Sequence, residues 1–220
     1  KKIIEEVIKI NKNKVLFLEK PLCENPKKSL KILNLLIKHN ITFRINYIFL
    51  YTNWFKQLKR MGYSKKTKIS LKWNFINKDT NSWKFKKRYG GGIIRYYGIQ
   101  IIAILSILGF DKCIKSKVTK NKNKEYSWYA IFKNNNNILF EVFFYLNNNI
   151  ENNFQILVNN NSKIKMHNPF TNKKNNYYKD NRIIFLRKHL NDESYMNKKS
   201  HLKIVKLWNQ VELKNKEINA

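Results

Sequence analysis

Val15-Leu16-Phe17-Leu18-Glu19-Lys20-Pro21 is the stretch from which the fold is read. Four consecutive apolar residues bounded by charge predict a strand buried on both faces, and strands of that kind present their carboxyl ends to ligands in open α/β sheets. Lys20 stands at that end and is a candidate for chemistry; the other reading is a surface strand end in a lysine-rich chain. Upstream, Ile3, Ile4, Val7 and Ile8 recur at helical spacing and residue 1 is Lys, so the chain is expected to open inside a longer domain. Downstream, Asn25 is placed as an N-cap and Pro26 at the first helical position, with Leu30, Leu33, Leu36 and Ile37 as a core-facing stripe and Asn40 as the stop. Ile41, Phe43, Ile45 and Tyr47 then alternate as a strand. Helix, strand, helix, strand in that order is the back half of an α/β wound domain.

Composition bounds the function classes. At 43% apolar and 14% aromatic residues the chain has ample material for a core. A formal charge of +31 points toward nucleic acid. The residues in excess, however, are Lys, Asn, Ile, Tyr and Phe, whose codons are rich in A and T, which reads as the drift of an AT-rich genome. The basic residues are overwhelmingly Lys, scattered through every segment, whereas base and phosphate readers favour the planar fork of Arg. No specific nucleic-acid partner is expected. Cys23 and Cys113 carry no metal or disulfide spacing, and His39, His167, His189 and His201 are isolated from one another, so no metal and a reduced, cytoplasmic compartment are expected. The longest apolar run, Ile99 to Leu108, is broken by Gln100 and Ser106 and is too short to cross a bilayer.

Farther along, Asn53 to Arg60 predicts a helix with Trp54, Phe55 and Leu58 inward, stopped at Met61-Gly62-Tyr63. Lys68 to Ile76 alternates Ile69, Leu71, Trp73 and Phe75 against polar partners, a half-buried strand that begins a second sheet. Tyr126 to Phe132, Ile138 to Tyr145, Asn153 to Val158 and Ser162 to Met166 read as successive strands of a meander, with turns at Lys133 to Asn137 and Asn147 to Asn149. His201 to Val211 predicts a last helix, with Leu202, Val205, Leu207 and Trp208, packing back on the first domain.

Between these lies Gly90-Gly91-Gly92 followed by the apolar run to Gly109, which together hold every glycine except Gly62. Successive glycines let a backbone approach a ligand and free its amides; a flexible loop feeding a core helix is the bland alternative. Gly98 is expected to mark a close helix contact. Arg95 is a candidate for holding a carboxylate or phosphate, or else a surface residue at a helix end. Tyr96 and Tyr97 either stack on a ligand ring or pack in the core.

The Val15 to Leu22 stretch, the helix and strand after it, Asn46-Tyr47 and Gly90 to Gly109 together resemble the glucose-fructose oxidoreductase, inositol dehydrogenase and MocA family. That resemblance covers most of the chain. It implies the C-terminal part of a Rossmann nucleotide-binding domain, residues 1–46, followed by an α+β domain with a mixed, mainly antiparallel open-faced sheet, residues 47–220. It implies an NAD(P)-dependent oxidoreductase that moves a hydride between nicotinamide and a hydroxyl or keto carbon of a sugar or nucleotide-sugar, with oligomers built through the sheet. Glu19, Lys20 and Pro21 would lie at the cofactor, NAD or NADP, with Lys20 as the catalytic group orienting the substrate oxygen and a cis Lys20-Pro21 bond aiming it. Tyr47, Arg95, Tyr96 and Gln100 would face the substrate. The family's acid-base pair, an Asp and a His four residues apart, falls here on Tyr96 and Gln100, and the Arg after its junction motif falls on Leu50. Gln cannot titrate, and an unperturbed Tyr does so only near pH 10. A non-catalytic binding or scaffold protein on the same fold is therefore the second reading.

Overall fold

The computed structural model describes residues 4–7, 15–76, 84, 86, 89–121, 124–146, 151–174, 177–192 and 197–219. Strand β1 (Leu16–Leu18) leads through helix α1 (Pro26–Lys38) to β2 (Phe43–Ile45), which lies parallel to β1 with Leu16 opposite Phe43. This is the βαβ unit expected from the sequence. The Asn25 side chain accepts the Lys28 amide and Pro26 opens the helix, so the N-terminal amides are met as the sequence predicts. Ser29, Ile32, Leu33 and Leu36 form the buried face. One expectation fails: β1 is not buried on both faces. Among the described strands it pairs with β2 alone, and Phe17 remains 50% exposed.

After β2 come a 3₁₀ turn (Ile48–Tyr51) and α2 (Asn53–Arg60), with Trp54, Phe55 and Leu58 buried. Thr52 caps α2 by accepting the Phe55 amide. Strand β3 (Lys68–Phe75) buries Ile69, Leu71, Trp73 and Phe75, as its alternation predicts. A π-helical turn (Ile93–Gly98) then runs into α3 (Ile99–Ile107), whose first seven residues are all buried.

The large sheet follows, with β4 (Phe110–Asn121), β5 (Lys124–Asn134), β6 (Leu139–Leu146), β7 (Asn153–Val158) and β8 (Asn161–Met166). Strands β9 (Thr171–Lys174) and β10 (Tyr177–Asp180) form a separate hairpin ahead of α4 (Arg182–Asn191). Helix α5 (Lys198–Lys214) and strand β11 (Asn215–Asn219) close the chain. The sheet order is β11-β4-β5-β6-β3-β7-β8. This corrects the expected meander, because β3 inserts between β6, to which it is parallel, and β7, to which it is antiparallel. Alternation marks a half-buried strand but carries no information on its neighbour. The turn predicted at Asn147 to Asn149 lies outside the described residues. The result is a mixed, mainly antiparallel sheet with α3 on one face. Helix α5 buries Ile204, Val205, Leu207, Trp208 and Val211, and packs against α1, α3 and β4.

Gly98 makes a close contact, though with a strand rather than a helix. A Cβ there would stand 2.8 Å from the Trp128 ring on β5. No described helix is long and apolar enough to cross a membrane.

Candidate functional site

Lys20 leaves the carboxyl end of β1 and crosses to the π-helical turn. Its Nζ donates to the Tyr96 carbonyl at 2.5 Å and lies 4.3 Å from the centroid of the Tyr96 ring. Desolvation lowers its pKa from 10.5 to about 8; Glu19 opposes that shift and the charge of Lys84 adds to it. The amine is thereby brought close to neutrality, where a lysine can give or take a proton. The Lys20–Pro21 peptide is cis, as anticipated. Glu19 Oε1 accepts from Asn46 Nδ2 at 2.8 Å, which ties the strand end to the junction after β2.

The glycine turn lies against this loop: a Cβ on Gly90 would meet Glu24 Cα at 3.3 Å. The two stretches that the sequence singles out are therefore neighbours in space. Three successive amides of the turn, however, are spent within the fold. Gly91 N–H donates to the Lys86 carbonyl at 3.1 Å, Gly92 N–H to the Lys84 carbonyl at 2.7 Å, and Ile93 N–H to Glu125 Oε2 at 2.7 Å. Gly92 sits at φ +107°, a backbone that a side chain rarely adopts, and a Cβ there would be 2.8 Å from the same Glu125 oxygen. Its role is to let the turn close on a buried carboxylate.

The other predicted residues divide. Tyr96 stays with Lys20. Gln100, 4% exposed, faces the junction: Nε2 donates to the Asn46 carbonyl at 3.2 Å, and Oε1 receives the Phe49 amide at 3.5 Å. Tyr47 is 2% exposed and stacks on His201 with ring centroids 6.2 Å apart. Arg95 directs its fork to Glu212 of α5, Nε to Oε1 at 2.8 Å and Nη2 to Oε2 at 3.2 Å, and Glu212 Oε1 also accepts the Trp208 indole N–H at 3.0 Å. An anionic sugar would have to displace that pair. Tyr97 packs against Phe75 at 4.3 Å and Trp73 at 5.7 Å, and burial raises its pKa. Leu50 is partly buried and packs against the core.

Three residues of this region carried no local signal: Glu125, Glu212 and Lys84, whose Nζ lies 5.4 Å from the centroid of the Tyr96 ring. Each meets its partner only through tertiary structure. A cleft of about 910 Å³ opens elsewhere, lined by residues including Asn53, Gln57, Asn152, Lys165, His167 and Phe185. None of the candidate site residues, Glu19, Lys20, Pro21, Tyr47, Arg95, Tyr96 and Gln100, lines it. Cys113 is no nucleophile, since burial pushes its thiol up to about 12.

No protein-family model and no curated protein sequence matches the chain. Solved structures do. KijD10, a 3-ketoreductase from Actinomadura kijaniata in complex with NADP and TDP-benzene, superposes with a TM-score of 0.68 at 11% identity over 100% of this chain and 76% of that one. The WlbA (WbpB) dehydrogenase from Thermus thermophilus in complex with NAD and UDP-GlcNAcA gives 0.69 at 12% identity over 94% and 66%. An oxidoreductase from Erwinia carotovora atroseptica gives 0.67 at 13% identity over 99% and 77%. At such identities the likeness is one of fold: a Rossmann-type βαβ unit joined to a mixed, mainly antiparallel open sheet.

Proposed function

We propose that the chain is part of an NAD(P)-dependent oxidoreductase of the glucose-fructose oxidoreductase, inositol dehydrogenase and MocA type, acting on a hydroxyl or keto carbon of a sugar or nucleotide-sugar. The observation that carries this reading is Lys20, a desolvated amine at the carboxyl end of a parallel strand, held on the Tyr96 carbonyl. On this reading residues 1–46 belong to the nucleotide-binding domain and residues 47–220 form the substrate domain. Glu19, Lys20 and Pro21 fit the nicotinamide end of NAD or NADP, since they sit where such sheets present ligands. The glycine triplet is a poor cradle for a diphosphate, because the amides of Gly91 and Gly92, and of Ile93 after them, are spent within the fold. Bound NAD(P) supplies the hydride donor or acceptor. Lys20 orients the substrate oxygen and, with a pKa of about 8, gives its proton to the oxygen in reduction or takes one in oxidation. Tyr96 borders the same space. Tyr47 and Gln100 shape the junction behind it, and Arg95 steadies the turn through Glu212.

The outer face of the sheet supports a homo-oligomer: Tyr129 and Phe143 stack there at 4.7 Å, and Leu139 and Tyr145 are exposed beside them. One observation favours the second reading, a non-catalytic binding or scaffold protein on this fold: Gln100 is turned to the junction backbone, so Lys20 lacks a titrating partner on α3. The two are separated by titrating the protein with NADH and NADPH by fluorescence and following hydride transfer with sugar and nucleotide-sugar substrates. Turnover that falls at least 100-fold in Lys20→Ala, with cofactor affinity kept within about threefold, is the expected result for a lost proton-transfer group. Cofactor binding without turnover, unchanged by Lys20→Ala, would leave only the scaffold reading.

A further inference from the structure

One row of residues crosses the outer face of the large sheet from edge to edge. Lys117 of β4 stands opposite Tyr129 of β5, Tyr129 opposite Phe143 of β6, and Phe143 opposite Lys72 of β3. The row continues from Lys117 to Lys216 of β11, and from Lys72 through Gln155 of β7 to Lys165 of β8. Residues directly opposite one another share a face, so four lysines and the stacked Tyr129–Phe143 pair lie along one line. At a strand spacing of about 4.8 Å that line is roughly 29 Å long. Cations flank the aromatic pair on both sides: Lys115 Nζ lies 5.6 Å from the Tyr129 centroid and Lys72 Nζ 5.9 Å from that of Phe143. Tyr145, two residues beyond Phe143 on the same face, is 49% exposed. Among the described residues none of the four lysines in the row is paired with a carboxylate, and Glu141, on the same face, is already held by Lys68 at 3.2 Å.

We infer that this face binds single-stranded nucleic acid without sequence preference, with phosphates along the lysine row and bases against Tyr145 and the Tyr129–Phe143 pair. A line of positive charge interrupted by aromatic rings suits a chain that alternates phosphates with flat bases. A small anion has no use for its length, and a duplex keeps its bases stacked on one another. Lysine serves here where arginine would be expected for reading sequence, because a phosphate asks only for a point charge on a flexible stem. Composition accounts for the number of lysines in the chain; the register of the strands is what sets four of them in line with an aromatic pair. A second copy seated on the same face would bring two such rows together, so at low salt the nucleic acid is the favoured occupant. The inference stands apart from the oxidoreductase reading and uses none of its residues.

The test is fluorescence anisotropy of a labelled oligothymidylate of about twelve nucleotides, titrated with the full chain from about 50 to 200 mM salt. Each lysine on a phosphate contributes about 0.7 to the slope of log affinity against log salt on a single strand. The double variant Lys72→Gln/Lys117→Gln should therefore lower the slope by about 1.4. Lys56→Gln/Lys59→Gln, which removes two exposed lysines from α2, should leave it unchanged. Tyr145→Leu keeps an apolar side chain but removes the ring, and should weaken binding on the order of tenfold at an unaltered slope, with Tyr145→Phe restoring it. All of these positions are exposed, or half-buried at Lys117, and thermal unfolding like that of the parent shows that each variant folds. Equal slopes in the two double variants, full affinity in Tyr145→Leu, or a duplex of the same length bound as tightly would show attraction by net charge alone and overturn the inference. A dimer by sedimentation that the oligonucleotide does not dissociate gives the face to a second copy and overturns it equally.

Discussion

Replacing Gly98 by Ala tests the packing that joins the α3 segment to the sheet. Gly98 has ordinary helical angles, φ −61° and ψ −33°, so Ala suffers no backbone strain there and gains about 1 kcal/mol of helix propensity. Packing opposes this gain. The new methyl would lie 2.8 Å from Cζ3, 3.2 Å from Cε3 and 3.3 Å from Cη2 of Trp128, against an ordinary carbon contact of about 3.5–4.0 Å. Trp128 has little room to retreat. It is fully buried, its indole N–H donates to Ser116 Oγ at 3.1 Å, and the Phe144 ring stands edge-on at 5.2 Å. Overpacking in so confined a place costs toward the upper end of the usual range, about 3 kcal/mol. The net loss is then about 2 kcal/mol, which lowers Tm by roughly 4–8 °C in a chain of this size. Urea and thermal unfolding of Gly98→Ala measure it. Trp128→Phe removes the offending edge of the ring, so Ala at 98 should cost less in that background, an interaction of about 1 kcal/mol or more in the double-mutant cycle. A Gly98→Ala protein as stable as the parent, or more so, would refute the contact.

Lys20→Met should stabilise the protein at pH 7. The folded pKa of about 8 lies below 10.5, so the unfolded chain holds the proton more tightly between those values, and the native chain gains stability as pH rises through that window. Allowing for the partial exposure of the side chain, the gain from Met is roughly 1–2 kcal/mol at pH 7 and shrinks toward pH 10.5, read by urea unfolding across pH. His201 is 1% exposed, between Phe43 and Tyr47, and desolvation lowers its pKa from 6.5 to about 4, with the charge of His189 adding to the shift. Its unfolded form takes up the proton first, so stability present above pH 6.5 is lost as pH falls toward 4, by on the order of 3 kcal/mol. His201→Phe should flatten unfolding free energies over that interval; an unchanged acid slope would contradict the assignment. Glu212→Gln keeps an acceptor for Trp208 but leaves the Arg95 charge uncompensated, and should cost about 2 kcal/mol by urea unfolding.

The legible parts of the chain were those whose signal is local. The Asn25-Pro26 start, the inward Trp54, Phe55 and Leu58, and the alternation of Lys68–Phe75 each follow from periodicity and capping, and each is where it was expected. Neighbour relations were not legible. The insertion of β3 between β6 and β7 and the parallel docking of β11 on β4 are set by which faces match in three dimensions. The site shows the same division. Lys20 and the glycine turn could be singled out because a strand end and a glycine triplet are visible locally, whereas Glu125 is 32 residues from the amide it receives and Glu212 is 117 from the guanidinium it holds. This difference bears on the chemistry. A turn closed on Glu125 and latched to α5 by Arg95 presents to Lys20 the backbone carbonyl and the aromatic ring of Tyr96. With Gln100 facing the junction, the proposed oxidoreductase reading assigns proton transfer at this site to Lys20. On that reading the groups around this one amine, Glu19 favouring the ammonium and Lys84 opposing it, set whether it stands ready as acid or as base.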